Sequence, residues 1–327
     1  MGSFEWSGHA WTAGVRLLGA VRRPPAVEWS PWATRFEDPD LGELRLTGRW
    51  SAATPQAAAI DHRPPLVLLV HGLGGSAESR YARQGAAVAN GAGFDCLRVN
   101  LRGADLGGED FYHAGLTADL HAALADEALA GYESIHFVGY SLGGHVVLRW
   151  ATEPGDPRVR SVASICPPLD LDGACKGIDA PGRRIYRWYV LERLKRIYRA
   201  VAARRPVPTP VERTDRVLSL REWDELTVAP RYGFADAADY YARTSVGPDL
   251  GEARVPCLLV AAEHDPMVPA ATLRRFLDPA PPRLTVHWIE RGGHVAFPRS
   301  LELGIEGPPG LVPQVLAWSA GTLPSAR

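Results

Sequence analysis

The most constraining feature of this sequence is a serine between two glycines, in the stretch Gly139-Tyr140-Ser141-Leu142-Gly143. An apolar run precedes the stretch and a helical pattern follows it, which predicts a strand, a sharp turn and a helix. Such a turn needs residues without side chains where the backbones crowd, and Gly139 and Gly143 meet that need. The N-terminus of the following helix would stabilise a negative charge beside Ser141. The motif therefore indicates a nucleophile elbow.

Apolar runs alternate with helical patterns on both sides of this turn. The run Leu66–Val70 is apolar without interruption, as is typical of a strand buried on both faces of a parallel sheet. Residues 41–50 alternate instead, which predicts an antiparallel edge strand. The further predicted strands are residues 94–99, 134–138, 159–166, 257–261 and 284–289, and the predicted helices are residues 78–89, 116–130, 142–150, 270–277 and 311–319. This order predicts a doubly wound, mostly parallel α/β sheet.

The alternation stops between residues 169 and 249, where the pattern is helical and contains no buried strand. We therefore predict a helical cap of residues 169–249, inserted into a core of residues 41–168 and 250–327. Residues 1–40 are rich in Trp, Pro and Gly without a clear period. For these residues we expect an N-terminal arm that lies over the core.

A nucleophilic serine needs a base that titrates near neutrality, and the base needs a carboxylate that orients it. In a sheet of this kind, both groups should follow the nucleophile on loops at the carboxyl ends of later strands. Asp265 follows the predicted strand 257–261, and His294 follows the predicted strand 284–289. We predict that Ser141, Asp265 and His294 act together. Asp170 and Asp172, which follow the strand 159–166, are the alternative acids.

The glycine-rich loop His71-Gly72-Leu73-Gly74-Gly75 follows the strand Leu66–Val70. It lacks the Gly-Lys-Ser/Thr continuation of a phosphate-binding loop, so we interpret it as an oxyanion loop. The backbone N–H groups of Leu73 and Leu142 are the expected oxyanion donors. We expect His71 to support its own loop, and His145, one helical turn after Ser141, to pack or to hold a loop rather than to act as the base.

With these residues in hand, the sequence resembles the α/β-hydrolase superfamily, and within it the YheT-like branch of serine esterases. The motifs that carry the resemblance are the glycine-rich loop, the serine elbow, Asn100-Leu101-Arg102-Gly103, Tyr112-His113-Ala114-Gly115, the cap stretch from Trp223-Asp224 to Ala229-Pro230 with Gly233-Phe234, and Asp239-Tyr240-Tyr241. The resemblance implies an α/β-hydrolase fold with an inserted helical cap. It also implies hydrolysis of carboxylic esters by a triad of Ser141, Asp265 and His294.

The cap contains nine Arg or Lys residues between residues 183 and 205, against the single acidic residue Glu192. Apolar residues recur there at helical spacing, which predicts a basic amphipathic helix. We favour a cap helix with a solvated basic face. Transient contact with an anionic membrane surface remains the alternative. We expect Tyr140 and the cap aromatics Tyr186, Trp188 and Tyr189 to bind substrate.

Composition limits the remaining classes of function. The net charge is −1, and the chain has no zinc-finger spacing and no phosphate-loop lysine, so we expect no nucleic-acid partner. No metal-binding motif is present, and we expect neither a metal nor another cofactor. The four cysteines are far apart and three fall in predicted strands, which favours a reducing cytoplasm for this protein. No apolar run is long enough to cross a membrane.

Two classes of function follow from these patterns. The first is a serine hydrolase that cleaves small acyl esters through an acyl-enzyme, with a thioesterase or an acyltransferase as close variants. The second is a binding module that keeps the fold without catalysis. An intact set of Ser141, Asp265 and His294 favours the hydrolase.

Overall fold

The computed structural model describes residues 8–12, 27–54 and 63–322. Within these residues, eight strands form one sheet. The strands are β1 Ser30–Asp38, β2 Gly42–Ser51, β3 Leu66–Val70, β4 Asp95–Asn100, β5 Ile135–Tyr140, β6 Val159–Ile165, β7 Cys257–Ala262 and β8 Leu284–Ile289. Their order across the sheet is β1-β2-β4-β3-β5-β6-β7-β8.

Strands β1, β2 and β4 pair antiparallel, and the strands from β4 to β8 pair parallel. Every residue of β3, β4, β5 and β7 is buried, because helices cover both faces of the parallel part. The continuous apolar runs of the sequence have this origin. The prediction of a doubly wound, mostly parallel sheet is confirmed.

Besides a helical segment at residues 8–12, the described residues form eleven helices. They are α1 Arg80–Gly91, α2 Ala118–Ala125, α3 Leu142–Thr152, α4 Leu171–Asp179, α5 Arg184–Ala202, α6 Val211–Thr214, α7 Leu220–Leu226, α8 Val228–Arg231, α9 Ala237–Thr244, α10 Ala270–Leu277 and α11 Leu311–Ala320. Short 3₁₀ turns cover Glu127–Leu129, Pro181–Arg183 and Gly247–Glu252. Among these helices, none is both long enough and apolar enough to cross a membrane.

Two expectations about local structure are wrong. The strand predicted for residues 41–50 is β2, but it is not the edge of the sheet, because β1 pairs along its outer side. Strand β1 falls within the predicted arm of residues 1–40, of which residues 1–7 and 13–26 lie outside the described residues. Strand β1 has few buried side chains, and its backbone pairing with β2 holds it, so its hydrophobic pattern is weak. The helix predicted for residues 116–130 ends at Ala125, because Asp126 is extended and accepts a hydrogen bond from Ala128 N.

The helices α4 to α9 follow β6 and precede β7, in the stretch predicted as the cap. Their buried side chains belong to the same hydrophobic cluster as one face of the sheet, and α1 and α11 pack on the other face. The basic helix predicted for residues 183–205 is α5. The cap helices therefore share a hydrophobic core with one face of the sheet.

The position of the site follows from the strand order. Strand β3 lies between β4 and β5, and Val70 pairs with Gly139. The strand that follows β3 in the chain, β4, thus lies on one side of it, and β5 lies on the other side. This reversal of the strand order opens a crevice at the carboxyl ends of β3 and β5. The glycine-rich loop after β3 and Ser141 after β5 meet at this crevice.

Candidate active site

Ser141 occupies a strained backbone conformation at the junction of β5 and α3. Its φ is 54° and its ψ is −121°, a region that few residues other than glycine adopt. A Cβ added to Gly139 would lie 2.3 Å from Gly143 O, and one added to Gly143 would lie 2.4 Å from His71 O. Both positions therefore require glycine. The turn is the predicted elbow, and it points the Ser141 side chain into the crevice, where Ser141 lines a cavity.

Three side chains form a hydrogen-bonded chain at this elbow. His294 Nε2 lies 2.9 Å from Ser141 Oγ, and His294 Nδ1 lies 2.8 Å from Asp265 Oδ2. Asp265 Oδ1 accepts hydrogen bonds from Met267 N at 2.7 Å and from Val268 N at 3.0 Å. These two backbone bonds hold the carboxylate, and the carboxylate in turn orients the ring.

The alternative acids lie elsewhere. Asp170 Oδ2 pairs with Arg275 at 2.8 Å. Asp172 pairs with Lys176 at 2.5 Å and with Arg221 at 2.8 Å. The structure thus brings Asp265, rather than Asp170 or Asp172, to His294.

The two expected oxyanion donors face the same cavity as Ser141. Leu73 and Leu142 both line it, and their backbone N–H groups donate to no acceptor among the described residues. Leu142 is the first residue of α3, where an N–H has no intrahelical partner. Two free N–H groups beside a serine hydroxyl can stabilise the oxyanion of a tetrahedral intermediate.

Two tyrosines hold the glycine-rich loop on either side of Leu73. Tyr81 Oη accepts a hydrogen bond from Gly72 N at 2.8 Å, and Tyr112 Oη accepts one from Gly74 N at 2.7 Å. The flanking N–H groups are thus occupied and the N–H of Leu73 is left for a ligand. Sequence reasoning missed Tyr81, and it left Tyr112 without a role although Tyr112 belongs to a recognised motif.

The buried histidines have structural partners. His71 Nδ1 lies 2.9 Å from Gly72 O, and its Nε2 accepts from Leu101 N at 3.2 Å, so His71 supports its own loop as predicted. His145 Nδ1 lies 2.7 Å from Pro168 O, and its Nε2 lies 2.8 Å from Thr244 O. Burial lowers the pKa of each ring to about 4, so both rings are neutral at pH 7. His145 therefore lies between the two ends of the cap, and its neutral ring donates to only one of these two carbonyl oxygens.

The cavity has a volume of about 140 Å³ and lies between the elbow, the glycine-rich loop and the cap helices. An engineered protein cavity of similar volume, about 150 Å³, holds benzene. Tyr140 and Tyr189 line the cavity, as expected for substrate-binding residues. No Arg or Lys is among the described residues that line it.

Two of the aromatic residues expected to bind substrate lie away from this cavity. Tyr186 is buried and its hydroxyl lies 2.9 Å from His9 Nδ1, while Trp188 is 64% exposed. Neither lines the cavity. The reason is the rotation of α5 about its axis, which turns Tyr189 toward the crevice and Trp188 toward solvent.

Most of the basic residues of the cap helix hold backbone or acidic partners. Lys195 is buried and donates to Asp215 O and Val217 O, and Arg199 pairs with Asp215. Arg205 donates to Leu41 O in the core and pairs with Glu109. Further contacts join Arg193 to Gly74 O and Arg187 to Asp179 O. These contacts join cap segments to one another and join the cap to the core. None of these basic residues lines the cavity.

Two contacts near His294 were not foreseen from the sequence. His294 N donates to Thr12 Oγ1 at 2.8 Å, and Thr12 Oγ1 donates to Gly8 O at 2.8 Å.

The Cys166 thiol is also buried beside Asp265, and burial and Asp265 raise its pKa well above the usual value. Sγ of Cys166 and ligand atoms of Asp265 and His294 lie within 4.8 Å of one another, close enough to hold a metal ion. Because Asp265 and His294 already bond each other, we assign no metal to this group, and the absence of a metal remains a prediction.

Comparison with known proteins places this geometry in a family. Residues 67–303 match the model of the alpha/beta hydrolase family. The chain belongs to the α/β-hydrolase family. YheT of Escherichia coli, a candidate esterase, is 31% identical over 284 residues, which cover 83% of this chain and 80% of YheT. The resemblance to the YheT-like branch of the α/β-hydrolases is thereby confirmed.

Two further matches are more distant in sequence and say less about this chain. The monoacylglycerol lipase of Saccharomyces cerevisiae is 23% identical over 238 residues, and the match covers 68% of this chain and 53% of the lipase. This chain thus spans about half the length of that relative. The solved structure of the Pyrococcus furiosus esterase Pf2001 matches with a TM-score of 0.51 at 16% identity, over 82% of this chain and 85% of the esterase. At that identity the likeness supports the α/β-hydrolase fold alone.

Proposed function

We propose that this chain is a serine hydrolase that cleaves carboxylic esters through an acyl-enzyme intermediate. The observation that carries the proposal is the hydrogen-bonded chain from Asp265 through His294 to Ser141, beside the free N–H groups of Leu73 and Leu142. The names of two relatives, a candidate esterase and a monoacylglycerol lipase, agree with it.

The mechanism follows from this geometry. With Nδ1–H of His294 donating to Asp265, Nε2 accepts the proton of Ser141 as Oγ attacks the acyl carbon. The N–H groups of Leu73 and Leu142 stabilise the oxyanion. The imidazolium then returns the proton to the departing alkoxide, which leaves as the alcohol. A water molecule, activated by His294, attacks the acyl-enzyme and releases the acid.

The cavity wall favours an uncharged acyl group. A carboxylate that entered it would lose hydration without gaining a cation, since no Arg or Lys lines the wall formed by the described residues. The wall also carries the carboxyl group of Asp224, which would repel an anionic substrate. For esters of one alcohol, we expect a higher kcat/KM for the butyrate than for the hemisuccinate.

Labelling with an alkylfluorophosphonate, followed by peptide mass spectrometry, tests the nucleophile. We expect one adduct, on Ser141, and a loss of turnover of about 10⁴-fold or more in Ser141→Ala. Ser79→Ala is the matched control, because Ser79 lines the same cavity and has no histidine partner among the described residues. An adduct on Ser79, or no adduct on folded protein, would contradict the proposal.

A further inference from the structure

One ionisable side chain on the cavity wall has no part in the proposed mechanism. Asp224 lies on α7 and is the single acidic residue among the described residues that line the cavity. Its neighbours on the wall include Leu220, Trp223 and Val228, which are apolar and buried. Asp224 itself is partly accessible, because it faces the cavity and is otherwise surrounded by protein. A carboxyl group in such surroundings requires an explanation.

Only one of the two carboxyl oxygens of Asp224 has a hydrogen-bond partner among the described residues. Oδ2 accepts a hydrogen bond from the Tyr241 hydroxyl at 2.7 Å, and the Tyr241 oxygen also lies 3.1 Å from Cys175 Sγ. Tyr241 and Cys175 both line the cavity as well. Oδ1 of Asp224 accepts no hydrogen bond from the part of the chain that the structure describes. An acceptor without a partner is thus left on the wall of the substrate cavity.

Burial makes this arrangement costly without a ligand. A carboxyl group taken out of water loses its hydration, and one hydrogen bond does not restore it. Burial, together with the nearby Asp179, raises the pKa of Asp224 to about 7, against the lowering effects of the Tyr241 hydrogen bond and of Arg221. Arg221 does not neutralise the group, because it pairs with Asp172 at 2.8 Å. Because Asp224 lines the cavity and Oδ1 has no partner among the described residues, a donor that enters the cavity can bond this oxygen.

We propose that Asp224 is a specificity-determining residue that accepts a hydrogen bond from a hydroxyl group of the ester substrate. The inference rests on the proposed function, because it takes the cavity to be the ester-binding site. A hydroxyl group suits this site better than an ammonium group, which would lose far more hydration on entering an apolar wall. The hydroxyl can belong to the acyl part or to the alcohol part of the ester.

Two matched pairs of esters test the inference and separate these two sources. Methyl 6-hydroxyhexanoate and methyl heptanoate differ by one exchange of hydroxyl for methyl in the acyl part. The pair 2-hydroxyethyl hexanoate and propyl hexanoate differs in the same way in the alcohol part. The quantity to compare is the ratio of kcat/KM for the hydroxylated ester to that for its alkyl partner. The ratio cancels any general loss of activity.

We expect this ratio to fall about tenfold for one of the two pairs in Asp224→Leu, since a hydrogen bond to a charged or partly charged group has about that effect on discrimination. Asp224→Asn keeps an oxygen acceptor and should give an intermediate ratio. Glu222→Gln is the matched control, because Glu222 lies on the same helix, is exposed and does not line the cavity. It should leave both ratios at the wild-type value.

Unchanged ratios for both pairs in Asp224→Leu and in Asp224→Asn, with the variants folded by circular dichroism, would overturn the inference. Failure of the proposed function is a separate outcome, in which the wild-type protein cleaves none of the four esters. The inference is then decided by titration calorimetry on Ser141→Ala. The hydroxylated member of one pair should lose about tenfold more affinity than its alkyl partner when Asp224→Leu is added. An equal loss for both members would refute it.

Discussion

The hydroxyl of Tyr112 accepts a hydrogen bond from the backbone N–H of Gly74 at 2.7 Å, and this bond joins two loops that lie 38 residues apart in the chain. Tyr112 is buried, so the bond is shielded from water. It holds the loop in which the N–H of Leu73 remains free to donate. Tyr112 is therefore a positioning residue for the expected oxyanion site, although it does not touch the reacting atoms.

Tyr112→Phe should lower kcat by about tenfold and leave KM within about twofold, since the loop that carries the Leu73 donor loses one of the two tyrosine hydroxyls that flank this donor. Removing a donor outright has a larger effect. Steady-state kinetics on an uncharged ester measure the change. Tyr198→Phe is the matched control, because the buried Tyr198 hydroxyl donates to Thr209 O within the cap. If both variants lose kcat equally, the effect is general destabilisation and the positioning role is wrong.

Asp265→Asn should lower kcat by about 10⁴-fold, because an amide in place of the carboxylate favours the wrong tautomer of His294 and does not stabilise the imidazolium. Asp170→Asn and Asp172→Asn should keep nearly the wild-type rate, because these residues pair with Arg275, Lys176 and Arg221 rather than with His294. Kinetics on the three purified variants decide the point. A comparable loss of kcat in Asp170→Asn would show that Asp265 is not the acid that orients His294.

Arg102→Leu should lower the free energy of unfolding by about 3–5 kcal/mol, the usual result of removing one partner from a buried ion cluster. Arg102 is buried and pairs with Asp38 at 2.7 Å, Asp110 at 3.0 Å and Asp119 at 2.8 Å. Without it, Asp119 loses its cation, and Asp110 and Asp38 keep only Arg231 among the described residues, at 2.9 and 3.8 Å. Urea unfolding followed by tryptophan fluorescence measures the difference.

Arg35→Leu serves as the control for that measurement, because Arg35 pairs with Glu43 on the exposed surface. Exposed pairs add little to stability, so the unfolding midpoint should hardly move. Equal midpoints for Arg102→Leu and the wild-type protein would show that the buried cluster does not stabilise the fold.

Asp224→Asn should change how stability depends on pH. The pKa of Asp224 is raised from 3.8 to about 7 in the folded protein, so the folded state binds more protons than the unfolded state between these values. The wild-type protein should therefore lose stability relative to Asp224→Asn as the pH rises from about 4 to about 7. Paired urea titrations at several pH values measure this difference, in which the shared titration of the buried histidines cancels. A difference that does not change with pH would contradict the raised pKa.

The sequence by itself determined the parallel sheet and the chain order of the reactive residues. Runs such as Leu66–Val70 are apolar throughout because a parallel strand is buried on both faces, so they are visible without any partner strand. The elbow at Ser141 is equally local, since glycine on both sides of a serine answers a steric need within five residues. Asp265 and His294 were then predictable because loops at the carboxyl ends of parallel strands meet at one edge of the sheet.

Only the tertiary structure decided which further side chains surround these residues. Strand β1 escaped prediction because it is held by backbone pairing, which leaves little trace in the order of polar and apolar residues. The bond from His294 N to Thr12 Oγ1 joins residues 282 positions apart, and no local pattern encodes such a pair. Tyr189 faces the cavity and Trp188 faces solvent because packing sets the rotation of α5 about its axis. The same packing places Asp224 of α7 on the cavity wall, so the chemistry of the cavity depends on contacts between the cap and the core that no local pattern encodes.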